Sequence, residues 1–395
     1  MRHALWFLAA CACGASSPPG TDAPASDDDA AARHALGPND VSILLPLPAD
    51  PAVPTLLAVA GPATGAGPGV PLVASGPIAG LDLRGDIGPK NGQPFALDQL
   101  QVVAVRFELC DRQVVGACPD AGEDGRLRLV LQPVYAAGGA ATTHDIALHA
   151  FYPIPAAELA GVVRELRQLA ALADVAPGAP LAVNPGAPAY LDRLRALVMR
   201  YARWDRLVRL TTIGQRAGSV AFDWVLRGVE LDASGALSAM TIPALAAPVQ
   251  TLAVQGGDTV YVGEPLVDAP AGFALALNGS NFDLASSIDR AGALETLAAI
   301  NNPWDHDTVD LQCTTCHVAT YLTMHRAMTA GVDPASLATA YQSPFNTSVA
   351  SLANTEPRLI RAFGWVDAHP IISIRVANES ARVASEIESR FPAAR

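Results

Sequence analysis

Two cysteines and a histidine stand close together in the last quarter of the chain, in the run Cys313-Thr314-Thr315-Cys316-His317. On a helix, thiols three residues apart lie on the same side of one turn. Both can therefore reach the two vinyl groups at one edge of a porphyrin and form thioethers. The imidazole of the following histidine can then bind the iron. This C-x-x-C-H spacing predicts a covalent attachment site for one c-type haem.

Two other chemistries use a C-x-x-C pair. A redox-active dithiol is expected where strands and helices alternate, and no such alternation precedes Cys313. A closed zinc site needs four ligands. His306 could join the three side chains of the motif, but ligands that are adjacent in sequence, such as Cys316 and His317, rarely close a tetrahedron well. The spacing thus favours haem over zinc or a dithiol.

The start of the chain has the composition of an export signal. Arg2 supplies a positive charge, and residues 4–10 are apolar. The run Leu8-Ala9-Ala10-Cys11 resembles the signal box of bacterial lipoproteins, in which the peptide is cut before a cysteine that receives lipid. That resemblance implies a signal peptide over residues 1–10, shorter than the usual 15–30 residues, and a lipidated Cys11. It also implies an extracytoplasmic protein anchored at the bacterial outer membrane, on its periplasmic side or its surface.

Residues 11–40 are predicted to be a disordered tether between this anchor and the folded part. The segment is rich in small residues, proline and aspartate, and it has little apolar surface to bury. Cys110 and Cys118 lie further along, and a disulfide could bridge their spacing in an oxidising compartment. The net charge of −12 argues against nucleic acid as a partner.

Hydropathy patterns predict an α+β fold with two domains. Apolar residues alternate with polar ones over 103–109, 127–131 and 146–150, which predicts strands. Helical spacing over 159–172 and 191–208 predicts two helices among them. We therefore expect a strand-rich, β-sandwich-like domain with helical insertions over residues 41–280.

The remaining residues, 283–395, are expected to be mainly helical. Apolar positions over 284–300 lie on one helix face, a second helix is predicted to begin at the haem motif, and a third spans about 376–390. This order of helix, C-x-x-C-H, loop region and final helix resembles the small c-type cytochrome domain. The whole chain is also similar to single-haem, lipid-anchored cytochromes of Gram-negative bacteria. The resemblance implies that Cys313 and Cys316 form the thioethers and that His317 is an axial iron ligand.

The motif does not specify the second axial ligand. Class I cytochromes place a methionine several tens of residues after it, whereas the last methionine here, Met328, follows closely and is predicted on or near the same helix as His317. His306 precedes the motif on a connection long enough to cross the porphyrin edge. His369 lies in a loop before the last helix. His306, the alternative His369, either methionine (Met324 or Met328), and an open site all stay possible at this point.

The sequence therefore predicts an electron carrier that exchanges electrons with redox partner proteins through one covalent haem c. It contains no G-x-S-x-G nucleophile motif. Enzymatic activity of the peroxidase type is expected only if the distal side of the iron is open. The alternative is a surface binding, assembly or gas-sensing lipoprotein in which the haem is a sensor or a structural element, because most of the chain is not needed to hold a haem.

Overall fold

The computed structural model describes residues 34–59, 71–73, 99–110, 123–173, 175–215, 223–232, 234–255, 260–265, 271–306, 310–333, 337 and 360–393. The predicted signal peptide, Cys11, the tether up to residue 33 and Cys118 lie outside these residues. The end of the predicted tether, residues 34–40, is folded instead: Leu36 and Asp40 are buried, and a short helix begins at Pro38.

The fold is α+β, built on one large antiparallel sheet of ten strands. Eight strands follow the order β1-β2-β3-β5-β6-β7-β9-β10, while β4 pairs with β3 and β8 with β7. A separate hairpin is formed by β11 and β12. The strands are β1 (Ser42–Leu44), β2 (Leu100–Leu109), β3 (Glu123–Ala137), β4 (Ala140–Thr143), β5 (Ala147–Pro155), β6 (Arg209–Gln215), β7 (Asp223–Leu231), β8 (Leu237–Ala239), β9 (Val249–Gln255), β10 (Val260–Glu264), β11 (Phe363–Val366) and β12 (His369–Ile372).

Eight α-helices accompany the strands in the described part of the chain. They are α1 (Pro38–Val41), α2 (Ala156–Ala173), α3 (Pro188–Tyr201), α4 (Ala271–Leu277), α5 (Gly279–Leu284), α6 (Ser287–Asn301), α7 (Cys313–Thr329) and α8 (Ile374–Arg390). The helices predicted over 159–172, after the haem motif and over 376–390 are present. The helix predicted over 191–208 ends earlier, at Tyr201. The helix predicted over 284–300 is α6, which begins at Ser287 because Ser286 caps its start.

Helices pack on both faces of the sheet. The first face carries a cross-strand row of Val105, Leu129, Ala150 and Leu210, which shares an apolar core with α2 and α3. The second face, defined by the neighbouring row of Ala104, Val130, His149 and Thr211, lies on the opposite side because side chains alternate along a strand.

The expectation of a sandwich is wrong for the described strands. A sandwich needs a second sheet facing the first, whereas here helices α2 and α3 cover the first face. The segment after residue 283 holds α6, α7 and α8 but also the β11–β12 hairpin. Its apolar side chains, such as Leu297 and Val318, share one core with Trp224 and Leu252 of the sheet. A domain boundary at residues 281–283 stays a prediction.

A buried polar network joins the three helices around the haem motif. Asn301, at the end of α6, donates from Nδ2 to Thr323 Oγ1 of α7 over 3.0 Å and accepts at Oδ1 from Thr320 Oγ1 over 3.1 Å. Its backbone oxygen accepts from Asn378 of α8, and Thr320 Oγ1 accepts from the first amide of α8, that of Ile374. Such satisfied networks hold elements in one arrangement, since a partner lost in the core is costly.

The β11–β12 hairpin is fixed to the sheet by a side-chain amide. Gln132 of β3 accepts at Oε1 from the amide of Trp365 over 2.7 Å and donates from Nε2 to the carbonyl of the same residue over 2.8 Å. Gly364 lies against this amide with φ 139°, and a Cβ there would come within 2.4 Å of Gln132 Oε1. Glycine is therefore required at this position. In the described residues, no helix combines the length and the apolar composition needed to cross a bilayer.

Candidate functional site

A cavity of about 530 Å³ lies between the second face of the sheet and the helices α7 and α8. Its volume is in the range of about 300–1,000 Å³ that is usual for small-molecule and cofactor sites. Strands β2, β3, β5 and β6 form one wall, and the start of α7 together with α8 and Phe363 forms the other. The wall residues that matter below are Arg106, Glu108, Arg126, Arg128, His149, Phe151, Arg209, Met240, Cys313, Cys316, His317, Arg375, Glu379 and Arg382.

The C-x-x-C-H motif is the first part of α7 and faces this cavity. Cys313, Cys316 and His317 all line it and keep some accessible surface, whereas Thr314 and Thr315 between them are buried. This pattern is what helical periodicity requires when one side of a turn faces an internal space. The structure therefore brings the three predicted haem-binding residues together on one wall.

A side chain from the sheet holds the start of α7 in place. Gln250 of β9 is fully buried, and its Oε1 accepts from the Thr314 amide over 2.9 Å. Its Nε2 donates to Gln312 Oε1 and to the Pro265 carbonyl, each over 2.8 Å. The bond to Thr314 satisfies one of the backbone donors that every helix start leaves unpaired. The motif is thus tied to the sheet by one glutamine.

One ring nitrogen of His317 is used in a hydrogen bond that holds the imidazole in place. Its Nδ1 lies 2.7 Å from the backbone oxygen of Ile360, and because a carbonyl can only accept, Nδ1 carries the proton. Burial, reinforced by the charge of Arg361, lowers the pKa of His317 even though this hydrogen bond opposes the shift. The ring is therefore neutral with a lone pair on Nε2, the form that binds a metal. A backbone carbonyl on the other nitrogen is the usual support of a metal-binding histidine.

A buried ion pair supports the segment that binds His317. Arg361 Nη2 lies 3.0 Å from Asp145 Oδ1, and both side chains are almost completely inaccessible. Asp145 Oδ2 also accepts from Trp224 Nε1 over 3.2 Å and from the Ile360 amide over 3.4 Å. The carboxylate therefore fixes Ile360, whose own carbonyl orients the imidazole of His317.

The two thiols of the motif are free and protonated. Neither Cys313 nor Cys316 is in a disulfide, and burial raises their pKa values to about 12 and about 11. A redox-active dithiol needs a lowered thiol pKa, so this environment does not favour a dithiol. Among the described residues, His306 included, no group of three or more His, Cys, Asp or Glu side chains is arranged to hold a metal ion by itself.

Arginines outnumber carboxylates around the cavity. Six arginines and three glutamates line it. Arg106 and Arg375 both pair with Glu379, at 3.0 Å and 2.7 Å. Burial alone would raise the pKa of Glu379, but Arg375, Arg106 and Arg128 more than offset it and lower the pKa to about 2. Arg128 lies 4.9 Å over the ring of Phe151. The excess of positive charge suits a ligand that carries carboxylates.

Two residues that the sequence did not suggest also line the cavity. His149 of β5 lies on the second face, between Val130 and Thr211 on the neighbouring strands. Burial lowers its pKa well below the ordinary value, and nearby guanidinium groups, that of Arg128 first, lower it further. Met240 belongs to a small apolar cluster against which Cys313 packs. Both are far from the motif in sequence, and the alternation of Ile146, Leu148 and Ala150 was the available sign that His149 faces away from the first core.

The predicted distal histidines lie outside this cavity. His306 is half-buried in a turn, where its backbone N–H donates a hydrogen bond to the Asn302 carbonyl. Its backbone oxygen accepts a hydrogen bond from Arg375, a cavity residue, over 2.7 Å. His369 is exposed at the turn end of the β11–β12 hairpin, opposite Val366. Neither side chain is among those that line the cavity, so the structure does not bring these two histidines to the motif, and their role as iron ligands stays a prediction.

The remaining predicted positions are distributed as follows. Met328 is 55% exposed near the end of α7, and Met324 is half-buried against the core that α7 shares with the sheet; neither lines the cavity. Cys110 is disulfide-bonded. Its partner lies outside the described residues, as Cys118 does, so the pairing of these two cysteines stays a prediction.

No family model matches this chain, and neither does any curated protein or any solved structure. Its functional interpretation therefore depends on the geometry and chemistry of the cavity.

Proposed function

We propose that this protein is an electron-transfer protein that holds one covalent haem c in the cavity between the sheet and α7. The observation that carries the proposal is the convergence of two free, protonated thiols and one neutral imidazole on a single cavity. Because Nδ1 of His317 donates its proton to the Ile360 carbonyl, Nε2 stays available to bind the iron. The residues present therefore fit a haem.

The attachment chemistry follows from the two thiols. Cys313 Sγ and Cys316 Sγ would each add across one vinyl double bond. Each sulfur bonds to the carbon next to the ring, and the thiol hydrogen goes to the terminal carbon. Nothing is oxidised or reduced, so no further reactant is needed. The protonated state that burial favours for both thiols supplies that hydrogen.

The arginines on the wall would bind the carboxylates of the porphyrin. Arg128 and Arg209 line the cavity and flank Phe151, with guanidinium carbons 4.9 Å and 6.0 Å from the ring centre. Guanidinium groups bind carboxylates with charge-assisted hydrogen bonds, which are stronger when partly shielded from water. When bound, the haem supplies an iron that exchanges one electron between its ferric and ferrous states.

The proposal includes the cellular setting. Residues 1–10 as a lipoprotein signal and Cys11 as the lipidated residue would place the protein outside the cytoplasm, on the periplasmic side or the surface of a bacterial outer membrane. Redox proteins of the same compartment would be its partners. The support is the sequence of the first eleven residues and the chemistry of the haem motif.

Potentiometry tests the electron-transfer function. The full chain, expressed in a bacterium with a c-type haem maturation system, is titrated with reductant and oxidant while its visible spectrum is followed. We expect one reversible one-electron transition that is unchanged over repeated cycles. A haem that is attached but cannot be cycled reversibly would contradict electron transfer. A reversible centre that binds CO at once in the ferrous form would favour the gas-sensing alternative.

A further inference from the structure

The sheet wall opposite the haem motif contains one imidazole, a side chain that haem iron commonly takes as a ligand. His149 is on the central strand β5, and its ring is enclosed by the protein yet keeps accessible surface because it faces the cavity. Within the described residues, its ring makes no hydrogen bond. Its half-buried imidazole is therefore placed where it can bind a ligand held in the cavity.

Neighbouring residues show that this position is defined by the sheet. The strand partners of His149 are Val130 and Thr211, and all three project from the same face towards α7. Val130 and Thr211 cannot bind iron. His149 and His317 line the same cavity, one from the sheet and the other from α7.

We infer that His149 is the second axial ligand of the haem iron, so that one imidazole from the sheet and one from α7 bind opposite faces of the porphyrin. This inference rests on the proposed haem function. It assigns a purpose to the strand-rich part of the chain, since that part would supply one of the two protein ligands of the iron. With both histidines bound, no position would be open for a gas or peroxide.

Met240 is the other cavity residue outside the motif whose side chain is of a type that haem iron takes as a ligand, and its position fits less well. It belongs with Ile242 and Leu245 to a small apolar cluster against which Cys313 packs. The Cys313 sulfur would join the periphery of the porphyrin, and His317 is about one helical turn further along α7. A residue of the cluster next to Cys313 is therefore placed towards the ring edge, which leaves His149 for the position over the iron.

Spectroscopy of the haem-loaded full chain tests the inference. A pyridine haemochrome spectrum is read first, to establish that haem is attached. We expect ferric wild-type protein to be low-spin by electron paramagnetic resonance, and the ferrous Soret band not to shift with CO. His149→Gly should lose the low-spin signal and bind CO, and added imidazole should restore the low-spin state. His149→Met, which keeps a side chain that can bind iron, should stay low-spin with a higher reduction potential.

Matched variants distinguish this ligand from the others. His306→Ala, His369→Ala and Met240→Leu should each keep the wild-type spectrum. The inference is overturned if His149→Gly stays low-spin, if wild-type protein with attached haem already binds CO, or if one of the three control variants opens the site instead. Folding of each variant is checked by circular dichroism. If the glycine variant does not fold, the reduction potential of His149→Met decides, since it should differ from that of the wild type. Protein without attached haem would instead defeat the proposed function itself.

Discussion

His317 Nδ1 donates a hydrogen bond of 2.7 Å to the backbone oxygen of Ile360. The bond joins the haem motif to a segment far along the chain, and it sets which ring nitrogen stays available. The position of Ile360 in turn depends on Asp145, which accepts from its amide. The orientation of one proposed iron ligand therefore depends on a carboxylate that never reaches the cavity.

The ion pair of Asp145 with Arg361 should be essential for stability. Both groups are buried, and removing one partner leaves an uncompensated charge in the core. Asp145→Ala or Arg361→Ala should lower the free energy of unfolding by about 3–5 kcal/mol, measured by urea denaturation. The double variant Asp145→Leu with Arg361→Met should recover a substantial part of that loss. Single variants that lose less than about 1 kcal/mol would show that the pair is not buried as described.

The cap that Gln250 provides for α7 should also be measurable. Gln250→Leu keeps the side-chain volume but leaves the Thr314 amide and the Gln312 amide group without this partner. We expect a loss of about 1–3 kcal/mol in the free energy of unfolding, and a lower yield of haem-loaded protein. Val249→Thr is the control, since Val249 is partly exposed on the same strand. Equal stability of the two variants would refute the role of the cap.

Asp40 should make the protein less stable as the pH rises from about 4 to 7. Burial raises its pKa to about 7, against the hydrogen bond from the Gly37 amide and with a smaller contribution from Glu388. Between the unfolded and folded pKa values the folded state binds more protons, so stability falls with rising pH and is constant above the folded pKa. Asp40→Asn should remove this dependence and stabilise the protein at pH 8 by up to about 4 kcal/mol.

The measurement for Asp40 is the free energy of unfolding from pH 4 to pH 8 for wild type and variant. Asp50→Asn, which changes an exposed carboxylate, should leave the pH profile as it is in the wild type. An Asp40→Asn profile that runs parallel to that of the wild type would contradict the buried position of this carboxyl group.

Glu379 should have the opposite effect on the pH dependence of stability, because it stabilises the protein as the pH rises from about 2 to 4.5. Its folded pKa is about 2, below the unfolded value, so its stabilising contribution is present above about pH 4.5 and is lost as the pH falls towards 2. Glu379→Gln should be less stable than wild type at pH 6, with a difference that shrinks in acid. Glu386→Gln, on the same helix but more exposed, is the control and should change little. A constant difference between pH 6 and pH 3 would argue against the ionised, paired state.

Local patterns in the sequence were sufficient for the haem motif and for most elements, but not for the cavity. The alternation over 103–109 and 146–150 predicted β2 and β5, and the motif predicted the helix that begins at Cys313. Periodicity also implied that His149 and Ala150 face opposite sides. It could not say which helices cover each side, since that depends on contacts between distant parts of the chain.

For the same reason the sequence could not place the distal ligand candidates relative to the cavity. His306 is near the motif in the chain, and proximity made it the first choice, yet its side chain is not among those that line the cavity. The cap from Gln250 and the ion pair of Asp145 with Arg361 join residues far apart in sequence. No local sequence pattern predicts such contacts, because they form only when helices pack on a sheet.

The central claim is that Cys313 and Cys316 hold a haem by thioether bonds. The most direct test is the mass of the full chain after denaturation and removal of loosely bound haem, together with its pyridine haemochrome spectrum, when it is produced with a c-type maturation system. We predict a mass increase of one haem with the spectrum of two thioether links, and loss of both in the Cys313→Ala, Cys316→Ala double variant. A folded chain that carries no covalent haem under these conditions would contradict the account.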